Sequence, residues 1–76
     1  MLHPILIKQL WSATEQIHAH SLLHLSKREL IESLINRIQR RKSLTGQETK
    51  DLASYIEQRI ALIRDLAQSR LDEQLI

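Results

Sequence analysis

Residues 45–71 read TGQETKDLASYIEQRIALIRDLAQSRL. Within them Leu52, Ile56, Ile60, Ile63, Ala67 and Leu71 recur at steps of three and four, so they share one face of an α-helix. Tyr55, Leu62 and Leu66 widen the stripe on one flank. The spacing predicts one helix over residues 45–73, roughly 40 Å long at 1.5 Å per residue. The rest of the chain has only this rod, and itself, to fold against.

Working outward, Leu44-Thr45-Gly46-Gln47-Glu48 places a hydroxyl residue three positions before a glutamate. That is a capping box, in which the hydroxyl accepts the N–H of Glu48 and the carboxylate reaches back to the N–H of Thr45. Leu25-Ser26, followed by Glu29, carries the same device. Leu25 and Leu30 flank it at the spacing of a hydrophobic staple. A second helix over 26–42 follows, with Leu30, Ile31, Leu34, Ile35 and Ile38 on one face. Arg28 and Glu32 are an i,i+4 pair on its outer side. Arg40, Arg41 and Lys42 suit the negative end of its dipole. His3-Pro4 opens a first helix expected over 4–23, with proline in the first turn. Leu2 and Ile7 stand at staple spacing around it. Ala13, Thr14 and Ser21 are small enough to let a neighbouring helix come close.

The chain has one glycine, one proline, no Phe, one Trp and one Tyr, and no segment of strand alternation. The expected fold is all-α: a single domain over 1–76, a three-helix hairpin or bundle with a long C-terminal helix. A 76-residue chain stabilised almost wholly by Leu and Ile has a thin margin as a monomer, and oligomerisation is a common remedy. The second helix is shorter than the third, so the end of the rod projects past it. Leu66, Leu71, Leu75 and Ile76 lie there. The expectation is therefore a homodimer, with Trp11, Ile56, Ile60, Ile63, Leu66 and Leu71 as the interface.

Several classes are disfavoured. With no cysteine there is no disulfide framework and no thiol chemistry, which suits a reducing cytoplasm. No apolar run approaches a membrane span, and the N-terminus lacks the features of a secretory signal. A net charge of +2 does not by itself imply nucleic acid. No glycine-rich phosphate loop, nucleophile triad or paired carboxylates are present, so no enzyme activity and no cofactor are expected.

Three side-chain groups and one tryptophan bear on chemistry. His18, His20 and His24 are the densest set of metal-ligand types, and His20 and His24 share a helix face at i,i+4. Without a cysteine or a well-spaced acid beside them, exposed histidines at a helix end are the plainer reading, and no metal is expected. Arg37, Arg40, Arg41 and Lys42 form the one basic cluster, a candidate anion or nucleic-acid contact. Solvated helix-end charge is the competing reading. Arg59 and Arg64 fall within or beside the apolar register of the rod, where a planar guanidinium can pair with Glu32, Glu57 or Asp65 or snorkel at the stripe edge. Trp11 is either a core anchor or an interface hot spot.

The capped short helices and long C-terminal helix resemble, in general shape alone, small bacterial adaptor proteins that dimerise as helical hairpins. The shared features are generic caps and leucine spacing, and they name no family. The expected function is a non-catalytic adaptor or regulator acting on an unidentified protein partner. The alternative is a small nucleic-acid-binding regulator using the basic cluster.

Overall fold

The structure, a computed structural model, describes residues 2–74. The described chain is all helical, with five helices and no strand: α1 Pro4–Gln16, α2 Ala19–His24, α3 Lys27–Gln39, α4 Gly46–Gln58 and α5 Ile60–Gln74. None is long and apolar enough to cross a membrane. The molecule measures 42 × 20 × 19 Å.

The local signals formed as their chemistry requires. Both capping boxes are complete. Glu29 N–H donates to Ser26 Oγ and Ser26 N–H to Glu29 Oε1, each at 3.2 Å. Thr45 and Glu48 repeat the exchange at 3.1 and 3.0 Å. His3 serves as the N-cap of α1 through an atom the usual capping residues lack: its ring Nδ1 accepts from Ile5 N–H at 3.1 Å. Arg28 and Glu32 meet at 3.3 Å, with both side chains largely in water, so the pair adds little.

Two expected helices are each divided, which corrects the three-helix reading. The first stops at Gln16, because Ile17 and His18 are both extended, with ψ of 138° and 139°. Thr14, which is buried, turns its hydroxyl back onto the carbonyl of Leu10 at 2.9 Å, a bond that competes with regular helix continuation. The break brings Ile17, Ala19 and Leu22 into the core together. The long rod is interrupted at Arg59, whose φ of −114° and ψ of 9° leave the helical region, and whose N–H bonds Ile56 three residues back. Neither glycine nor proline marks that point, and the apolar stripe runs through it without a phase change. What changes is the neighbour: α4 packs on α3, whereas α5 packs on α2. The bend lets one stripe face two partners. The α3 helix ends at Gln39, so Arg40, Arg41 and Lys42 lie just beyond it.

One core runs the length of the molecule. Leu6 and Leu10 of α1, Leu22 of α2, Leu30, Leu34 and Ile38 of α3, Leu52 and Ile56 of α4, and Ile63 of α5 are all essentially inaccessible to water. Leu44 is half-buried and packs against this core, as a plug between α3 and α4 would. Leu75 and Ile76, expected to need cover at the end of the rod, lie outside the described residues.

The helix ends inside the fold are closed by two arginines of α5. Arg70 Nη1 donates to the carbonyl of Glu15 at 3.2 Å and Nη2 to that of Ile17 at 2.7 Å, both at the end of α1. Arg64 Nη2 donates to the carbonyl of Leu25, at the end of α2, at 3.0 Å. The last carbonyls of a helix have no partner within it, and a guanidinium fork supplies several donors at once. Of the two readings of Arg64, a carboxylate pair or a snorkelling side chain, neither describes this backbone contact. Arg59 lies 4.4 Å from the centre of the Tyr55 ring, and Glu57 pairs instead with Lys27 at 2.7 Å.

Three outcomes follow. Ser26→Ala removes a helix cap and should cost about 1 kcal/mol; a melting temperature that does not fall would place the start of α3 elsewhere. The Ser26 hydroxyl, and then its backbone N–H, hold the Glu29 carboxyl below its ordinary value of 4.5. A carboxyl with a lowered folded pKa stabilises the fold above the unfolded value and ceases to as pH falls through the folded one. The stability difference between the wild type and Glu29→Gln should therefore shrink on acidification. Arg70→Ala strips donors from Glu15 and Ile17 and should cost about 1–2 kcal/mol; amide exchange in the last turn of α1 should speed up more than exchange in α4.

Candidate functional site

Two of the hollows beside α1 differ sharply in chemistry. The first lies among α1, α2 and α5 and holds about 250 Å³. Its floor is core: Leu22, Ile63 and Ala67. Its walls are Trp11, half-buried, and Leu66, which is 46 % exposed. Leu62, one turn before Leu66 on the same face of α5, is 47 % exposed. Glu15, Arg70 and Glu73 form a rim of mixed charge. With Ile5, these two leucines are the large apolar side chains left most open among the described residues.

This hollow rearranges the expected interface. Trp11, Ile63 and Leu66 come together in it. Ile56 and Ile63 are fully buried, and Ile60 and Leu71 pack half-buried against the same core, so these four serve the subunit itself. This placement has one cause. The bend at Arg59 lays the inner stripe of α5 on α2 and leaves the flank, Leu62 and Leu66, facing outward. Leu62 was legible only as a widening of the stripe.

The second hollow, between α1 and α3, holds about 300 Å³. Its lining contains Lys8, Arg37 and Arg41 and no Asp or Glu. Ser12 and Gln16 add uncharged polar groups from α1, and Ala13 and Ile38 supply an apolar base. Gln9 also lines it, and its Oε1 is buried without a hydrogen-bond partner, an arrangement that costs stability. The sequence explains the charge: no acidic residue occurs between Met1 and Thr14 or between Ser33 and Gln47. The basic cluster is thus split. Arg37 and Arg41, four apart, line the same hollow as Lys8 of α1. All five of these cations are exposed, but Arg40 and Lys42 do not line the cleft. Lys8 was missed because nothing in a linear reading joins position 8 to position 37.

The histidines stay at the surface. His18, His20 and His24 are exposed, the rings of His20 and His24 stand edge to face with centres 6.1 Å apart, and His24 Nδ1–H donates to the carbonyl of His20 at 2.9 Å. Among the described residues no three His, Cys, Asp or Glu side chains gather as a metal ion would need.

No protein-family model matches the chain, and neither a curated protein nor a solved structure shows significant similarity to it.

Proposed function

We propose that the chain is a non-catalytic helical adaptor or regulator of the cytoplasm that works through protein–protein contacts as a homo-oligomer, and that a second copy covers the α1–α2–α5 hollow. The observation that carries this reading is the exposure of Leu62 and Leu66 beside a half-buried Trp11. Burying a leucine fully is worth about 1.5–3 kcal/mol, so two half-exposed leucines leave a few kcal/mol unclaimed in the monomer. Tryptophan next to an apolar pocket is the residue type that dominates binding energy at interfaces.

A second copy suits this face for two reasons. The face carries both a ridge, Leu62 and Leu66, and a hollow beside it, so a two-fold contact can set each ridge in the partner's hollow. The rim holds both signs of charge, Arg70 with Glu15 and Glu73, which a two-fold axis can place opposite one another. The absence of cysteine agrees with a reducing compartment.

Light scattering at micromolar concentration should give twice the 8.9 kDa chain mass. Leu66→Asp should return it to the mass of one chain with its helical circular dichroism unchanged, because that side chain is open in the subunit. Ile5→Ser, on another face, should leave the larger mass intact. A wild type that is monomeric at micromolar concentration would overturn the reading.

A further inference from the structure

We propose that the α1–α3 cleft is a binding site for a small, multiply charged phosphate compound, of the class of inorganic pyrophosphate or a compact phosphate ester. The inference rests on the cleft alone and not on the self-contact face. Among the described residues Lys8, Arg37 and Arg41 line it, no carboxylate does, and none of the three side chains has an ion pair or hydrogen bond. The other arginines that reach inward are already committed, Arg64 and Arg70 to carbonyls and Arg59 to the Tyr55 ring. Three like charges gathered around one hollow repel each other unless an anion sits among them. More than one negative charge is needed to answer all three.

The shape narrows the class. About 300 Å³ is at the small end for a ligand pocket, too little for a folded partner but enough for a phosphate group with a compact organic part. Two guanidinium forks, Arg37 and Arg41, can each present paired donors to phosphate oxygens. Ser12 and Gln16 across the cleft offer uncharged hydrogen-bond donors. The concavity also favours a small ligand over a nucleic-acid backbone, which would engage Arg40 and Lys42 outside the cleft as well.

The test is a titration of the full chain with inorganic pyrophosphate at physiological ionic strength, followed by amide chemical shifts. Saturable shifts centred on Lys8, Ser12, Arg37 and Arg41 are expected. Arg37→Gln or Arg41→Gln should weaken binding about tenfold, the loss expected for one charge-assisted contact, while Arg40→Gln should leave it unchanged. No saturable shift, or equal sensitivity to Arg40→Gln, would overturn the proposal. A parallel titration with short duplex DNA that binds more tightly than pyrophosphate, and depends on Arg40 and Lys42 as much as on Arg41, would overturn it in favour of an extended nucleic-acid surface. Repeating the pyrophosphate arm on Leu66→Asp separates the site from the state of association.

Discussion

The fold depends on α5 donating hydrogen bonds to the ends of other helices. A helix that stops inside a small protein exposes carbonyls that its own backbone cannot satisfy. Here α1 and α2 both stop against the body of the molecule. Arg70 answers the carbonyls of Glu15 and Ile17, and Arg64 answers that of Leu25. These contacts span more than half the chain and cannot form until α5 is in place. The division of α1 from α2 and the position of α5 are therefore one arrangement, held by the same side chains. The arrangement has a cost in Arg64 Nε, which is buried and unpartnered.

That arrangement also sorts the surface. The core face of α1 carries Leu6, Leu10 and Ala13. On one side of it, Trp11 looks toward the outer flank of α5, and the hollow there is apolar. On the other side, Lys8, Ser12 and Gln16 look toward the end of α3, and the hollow is cationic. One thirteen-residue helix thus serves two surfaces of opposite character. Apolar surface left open favours contact with another protein, since its burial is non-directional and grows with area. An acid-free cleft favours an anion, since its side-chain charges are unanswered among the described residues. The two proposals draw on different residues of α1 and fail separately.

Much of the local structure was legible. Ser26 with Glu29 and Thr45 with Glu48 announced two helix starts through short-range chemistry, and both formed. The apolar period separated inner from outer positions in α3, where Leu30, Leu34, Ile35 and Ile38 are all buried. Burial within the C-terminal run was not legible. Ile56 and Ile63 belong to the core and Leu62 stands exposed, although all three lie in the same apolar run. Periodicity identifies an apolar face; it does not say whether that face meets its own chain or another.

The amino-acid sequence by itself determined the helical class, the caps at residues 26 and 45, and the acid-free stretches that make one end basic. Each of these is settled by groups within a few residues of one another. Only the tertiary structure decided the breaks at Ile17–His18 and Arg59, the carbonyl contacts of Arg64 and Arg70, and the meeting of Lys8 with Arg37 and Arg41. Those rest on groups about thirty to fifty residues apart, whose approach depends on how the core packs.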